Sequence, residues 1–195
     1  MPPPPNRSDI HIDPLPYAAA LSVRNLGEID LVVIHCTELP DLAMARKFGE
    51  RVLYADSGTG NSGHYYIDRN GDIVEYVDPS HAAHHTRGYN PRSLGIELVN
   101  IGRYPDWLDS RRQAMDEAYT DAQIEALISL LRELCTRIPG LNLIAGHEDL
   151  DLDEVEASDD PRVKVRRKRD PGPRFPWPRV LAEVPLQRLA AAQHL

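Results

Sequence analysis

The sequence predicts an α/β fold: a single domain with a central mixed β-sheet flanked by helices. Three observations carry that expectation. Leu31-Val32-Val33-Ile34 is a continuous apolar, β-branched run of the kind that fills a buried strand. Two β-rich runs, 64–68 and 73–77, flank Asn70-Gly71, a dipeptide that favours tight hairpin turns. Ile124, Leu127, Ile128, Leu131, Leu134, Cys135 and Ile138 recur at helical spacing and make one apolar face. At 195 residues the chain is long enough for one domain and short for two.

Taken in order, residues 1–24 read as a Pro-rich N-terminal arm, and residues 25–195 as the folded domain. The strand at Leu31 delivers His35-Cys36-Thr37. Residues 41–54 have apolar positions near helical spacing behind Asp41, a natural N-cap, with Gly49 weakening the run. A Gly/Ser loop spans 56–63 and leads to the hairpin. Ser93 to Val99 is a further strand. Thr120 opens the long helix with Gln123 three residues on, a capping-box pattern, and Pro139-Gly140 stops it. Leu141 to Ala145 is a short strand that delivers Gly146-His147. Residues 148–160 hold eight acids and residues 162–169 six bases. That pattern predicts a solvated loop with opposite charges facing each other, so 148–167 reads as a charged surface insertion. A short helix from Trp177 to Val184 closes the fold, with Trp177 as a packing residue.

Composition narrows the function. Lys plus Arg is 22 and Asp plus Glu is 30, a net charge of −8, which argues against nucleic acid as the main partner. Two cysteines exclude a disulfide scaffold and a four-cysteine metal site. No apolar run approaches the length of a membrane span. The N-terminus shows no apolar stretch of signal-peptide length, so a cytoplasmic location is expected.

His35 and His147 each follow a predicted strand, where ligands in α/β proteins gather. A catalytic metal needs about three protein ligands and an open position. Asp170, Asp149, Asp151 and His64 are all candidates for the third. Cys36 reads as a buried small apolar residue.

The segments VVIHCTE (32–38), SLGIELVN (93–100), AGHEDL (145–150) and RKRDPGP (167–173) occur in that order. Together they resemble the zinc-dependent N-acetylmuramoyl-L-alanine amidases of the second amidase family, which includes the peptidoglycan recognition proteins. The resemblance runs from about Leu31 to Val184. It implies the mixed-sheet fold of that family, one Zn²⁺ held by His35, His147 and Asp170, and hydrolysis of the amide between N-acetylmuramic acid and L-alanine of peptidoglycan stem peptides. It implies Glu97 as the acidic catalytic residue and Lys168 as the catalytic lysine. His64, with His85, Arg87, Tyr89 and Asn90 of the segment after the hairpin, would contact the sugar or peptide. Muropeptides, possessing either the anhydro or the intact sugar, are the expected partners. The distance from His147 to Asp170, 23 residues, is long for the family, and the charged insertion fills the excess. Two alternatives stand beside the amidase: a muropeptide-binding module that does not cut, and a zinc peptidase. The peptidase lacks the H-E-x-x-H helix signature.

Overall fold

The computed structural model describes residues 10–189. Residues 1–9, most of the Pro-rich stretch of the arm, lie outside the described residues.

Seven strands form one mixed sheet in the order β1-β4-β3-β5-β2-β6-β9. They are β1 (Ile10–Ile12), β2 (Leu31–Cys36), β3 (Tyr65–Ile67), β4 (Ile73–Glu75), β5 (Ser93–Leu98), β6 (Leu143–Gly146) and β9 (Gln187–Arg188). Within this sheet only the β3–β4 pair is antiparallel; every other neighbouring pair in it is parallel. All six residues of β2 are buried, as its unbroken apolar run requires of a central strand. β2 runs two residues further than the apolar run, so His35 and Cys36 lie inside the strand. β1 comes from residues assigned to the arm by composition: Ile10, His11 and Ile12 pair in parallel with β4.

Strand alternation sorts the faces. Val32 and Ile34 of β2, Leu94, Ile96 and Leu98 of β5, and Ile144 of β6 pack into the core beneath α2 (Asp121–Arg137). Leu31, Val33 and His35 turn to the opposite face, and so do Gly95 and Glu97. Helix α2 starts where the sequence places it. Thr120 Oγ1 accepts from Gln123 N–H at 3.1 Å, and Gln123 Oε1 accepts from Thr120 N–H at 3.1 Å. Gln123 then donates Nε2–H to the Val99 carbonyl at 2.8 Å, which ties the helix start to the end of β5. Leu127, Leu131 and Leu134 are fully buried. Each Leu→Ala change in such a core costs about 2–5 kcal/mol.

The opposite face is covered in part by α1 (Leu42–Gly49), capped by Asp41, which accepts from Met44 N–H at 2.7 Å. α1 stops at Gly49, short of the expected residue 54. Val52, Leu53 and Tyr54 are consecutive rather than helically spaced, and all three are exposed. α4 (Trp177–Glu183) packs on the α2 side, with Trp177 and Val180 in the core.

The charged segment is more ordered than a solvated loop. After the four-residue helix α3 (His147–Leu150), β7 (Glu154–Glu156) and β8 (Lys164–Arg166) form an antiparallel hairpin. Glu154 stands opposite Arg166, Glu156 opposite Lys164, and Val155 opposite Val165. Opposite charges across a strand pair stabilise it, and the central valines give the hairpin its buried side.

Candidate metal centre

β2 and β5 run parallel with His35 directly opposite Glu97. Both side chains point away from the α2 core, for the alternation reason above. β6 lies on the other side of β2 and ends in Gly146, where His147 opens α3. The loop after β8 returns Asp170 to the same place.

Three of these side chains converge. Asp170 Oδ2 lies 2.9 Å from His35 Nδ1 and 3.1 Å from His147 Nδ1, and all three residues are buried. Ligand atoms on a tetrahedral cation with bonds of about 2.0–2.2 Å stand roughly 3.3 Å apart, so the arrangement is close to a three-ligand cage. Asp170 Oδ1 and His147 Nε2 are buried with no hydrogen-bond partner among the described residues. Buried polar atoms are rarely left so. The group could hold a metal ion. Among the sequence candidates for the third ligand, Asp170 is the one that converges with both histidines. Asp149 instead accepts from Gly146 N–H at 3.0 Å, and Asp151 pairs with Arg167.

Electrostatics suits the cage. Burial, reinforced by neighbouring His147, lowers His35 to about 4, so its imidazole is neutral at physiological pH, the form that binds a metal. Burial works against the Asp170 carboxylate, but the His147 and His35 imidazoles outweigh it and hold its pKa well below the usual range.

The other ring nitrogen of His35 is also committed. In the tautomer that leaves Nδ1 as ligand atom, Nε2–H donates to His85 Nδ1 at 3.1 Å. His85 Nε2–H then donates to Ser93 Oγ at 3.2 Å, and Ser93 Oγ–H to the Tyr89 carbonyl at 2.8 Å. The ring of His85 sits over Gly95: a Cβ there would meet His85 Cγ at 2.6 Å. His85 thus holds the orientation of His35, one of the three converging residues, and also lines the cleft.

Glu97 Oε1 lies 4.0 Å from His35 Nδ1. Burial first, then the Asp170 charge, pushes its pKa up to about 8, against the pull of Lys168. Gly63 makes room for it, since a Cβ at that position would meet Glu97 Cγ at 2.9 Å. Glu97, Lys168 and the three candidate ligands line a cleft of about 750 Å³, the size of a small-molecule site.

A sequence profile described as N-acetylmuramoyl-L-alanine amidase (Amidase_2) matches residues 25–173. The chain belongs to the N-acetylmuramoyl-L-alanine amidase family. It is 34% identical over 134 residues to the 1,6-anhydro-N-acetylmuramyl-L-alanine amidase AmpD of Salmonella typhimurium, which covers 64% of this chain and 58% of that protein. The chain thus spans little more than half the length of these AmpD relatives. A solved AmpD selenomethionine derivative superimposes with a TM-score of 0.64 at 27% identity, over 91% of this chain and 95% of the other. AmpDh3 of Pseudomonas aeruginosa, solved in complex with an anhydromuramic pentapeptide, gives 0.58 at 26% identity, over 80% of this chain and 60% of that one.

Within this amidase-family cleft the expected contact residues divide. Arg87 is at the rim, exposed, and pairs with Asp153 of the charged segment at 3.1 Å. Asn90 lines the cleft, but its Oδ1 accepts the N–H groups of His85 and Thr86 at 3.0 and 2.7 Å and so fixes the loop. The other two lie away from the cleft surface. Tyr89 does not line the cleft; it packs against the Leu31, Val33 and Ala145 cluster. His64 is fully buried: its Nδ1 accepts from Gly95 N–H at 3.0 Å and its Nε2 meets the His81 carbonyl at 3.0 Å. A histidine with both ring nitrogens occupied inside the sheet has no edge to offer a substrate. Sequence reasoning missed the buried pair Glu38–Arg103, whose carboxylate and guanidinium are 2.7 Å apart. No spacing marks it, because the partners lie 65 residues apart.

Proposed function

We propose that this chain hydrolyses the amide between the lactyl carbonyl of N-acetylmuramic acid, in its 1,6-anhydro form, and L-alanine of the stem peptide, using one zinc ion. The observation that carries this reading is the convergence of His35, His147 and Asp170 with Glu97 beside them. Two imidazoles and one carboxylate are a donor set that suits Zn²⁺ and leaves a position open. The relatives' names support the anhydro sugar, as does the anhydromuramic peptide held by the Pseudomonas relative.

Zinc in this cage would supply Lewis acidity and make water acidic enough to attack an unreactive amide. The residues of the chain do the rest. His35, His147 and Asp170 would hold the ion. Glu97 takes the proton from the attacking water and passes it to the leaving amine of L-alanine. General acid–base catalysis of this kind contributes typically about 10²–10⁴-fold. Lys168, in the cleft wall, stabilises the negative oxygen that develops on the carbonyl; one such donor is worth about 10²–10³-fold. Arg87, at the rim, is placed to meet a carboxylate of the anionic stem peptide.

A muropeptide-binding module that does not cut would need neither Glu97 nor Lys168 in the cleft. The test is product mass analysis with anhydro-muropeptide and with intact peptidoglycan, each with zinc and with chelator. Zinc-dependent release of the free peptide from the anhydro-muropeptide is expected. Binding without release would leave the module reading; release from intact peptidoglycan alone would move the substrate to the polymer.

A further inference from the structure

Arg103 is buried, and every one of its five side-chain N–H donors is taken. Nε and Nη2 grip Glu38 Oε1 and Oε2 at 2.7 and 2.8 Å, a two-pronged ion pair. Nη1 donates to Gln113 Oε1 at 3.2 Å and to the Arg166 carbonyl at 3.0 Å. Nη2 also donates to the Arg167 carbonyl at 3.3 Å. Glu38 is three residues beyond His35. Arg166 and Arg167 are the two residues before Lys168. The guanidinium therefore joins the end of β2 to the backbone that carries Lys168.

The junction is built tightly from both sides. Glu38 Oε1 also accepts from Arg103 N–H at 3.1 Å, and its carbonyl accepts from Trp107 Nε1–H at 3.1 Å. Glu38 has a positive φ of 47°, and Gly102 leaves it space, since a Cβ there would meet Glu38 Cγ at 2.6 Å. A buried ion pair is a poor stabiliser compared with well-packed apolar residues, so its placement calls for another reason. Lys168 has a flexible stem whose starting point is set by its backbone, and misplacing a catalytic group by about 1 Å can cost about 10²-fold.

We propose that Arg103, locked by Glu38, is a positioning residue for Lys168: it fixes the carbonyls of Arg166 and Arg167 and so sets where the lysine ammonium meets the developing oxyanion. This rests on the catalytic role given to Lys168 above. Lysine at 103 would keep the charge but lacks the planar fork needed to reach Glu38 and both carbonyls.

The test is a double-mutant cycle with Arg103→Lys and Lys168→Met, measured on the zinc-loaded full chain, with metal content and melting temperature recorded for each variant. Arg103→Lys should lower kcat by about 10–10²-fold with KM and zinc stoichiometry unchanged. In the Lys168→Met protein the same change should have almost no further effect on kcat. A purely structural role would lower kcat equally in both backgrounds, and that result, or loss of zinc, would overturn the proposal. If Lys168→Met retains full turnover, the oxyanion role itself fails and this inference with it. If Lys168→Met is impaired and Arg103→Lys is not, the positioning role alone fails. Should Arg103→Lys not fold, the pair Arg103→Met with Glu38→Leu removes both buried charges together and enters the same cycle with the same expectations.

Discussion

Glu97 and His35 face each other across neighbouring parallel strands, in register, with Glu97 Oε1 4.0 Å from His35 Nδ1. Two strands thus present a candidate metal ligand and a carboxylate side by side on a rigid backbone, the kind of support that keeps a catalytic geometry within fractions of an ångström. Glu97 is near enough to serve the open position of the cage and is not itself one of the converging ligands.

His85 is expected to act on the metal through His35. Removing the partner of a ligating imidazole typically costs 10–100-fold in metal affinity. His85→Ala should therefore weaken zinc binding by about that factor, read by competition with a chelator, while the melting temperature of the metal-free protein changes little. An unchanged zinc affinity would return His85 to a role in contacting substrate.

The metal-free protein should have a stability maximum in mildly acid solution. Burial lowers His35 to about 4 and His64 to about 3, from 6.5, so the unfolded chain binds more protons in that window and stability rises with pH there. Burial raises Glu97 to about 8 and Glu148 to about 7, from 4.5, so the folded chain binds more protons and stability falls as pH rises through that range. Above 6.5 only the second effect remains. Melting temperature should drop between pH 6.5 and 8, and the drop should shrink in Glu97→Gln. A melting temperature that keeps climbing to pH 8 would contradict the assignment.

The charged hairpin is proposed to border the cleft and tune access to it. Its base is tied to the site by Arg87–Asp153, by Arg166 donating to the carbonyls of Glu148 and Asp151, and by Arg103. Its tip leans on residues 108–111 through Ser158 N–H to the Leu108 carbonyl and Asp159 to Ser110. Replacing residues 156–164 with a short turn should leave zinc stoichiometry intact and change KM for the muropeptide. Loss of zinc would make the hairpin part of the scaffold of the site.

The sequence made most of the sheet legible, because unbroken apolar runs, an Asn-Gly turn and a capped amphipathic helix each have a local signature. The metal cage was legible only in part. Strand-end placement points to His35 and His147, but position alone leaves Asp170 level with Asp149, Asp151 and His64; the family resemblance singles it out, and the fold brings it against both histidines. The β7–β8 hairpin was hidden because its alternation consists of charges around single valines, which composition reads as a solvated run. His64 looked like a cleft residue because burial of a polar side chain is settled by distant partners, here Gly95 and His81. The Glu38–Arg103 junction leaves no trace at any fixed spacing.

The most direct test of the account is Glu97→Gln, with His35→Ala as its reference. Glutamine keeps the shape of the side chain but cannot take a proton. Zinc stoichiometry should stay near one per chain, melting temperature should stay close to that of the unaltered protein, and turnover of the anhydro-muropeptide should fall roughly 10²-fold or more. His35→Ala should lose zinc and turnover together. Turnover retained in Glu97→Gln with zinc bound would contradict the account, since no proton carrier would then be needed beside the metal cage.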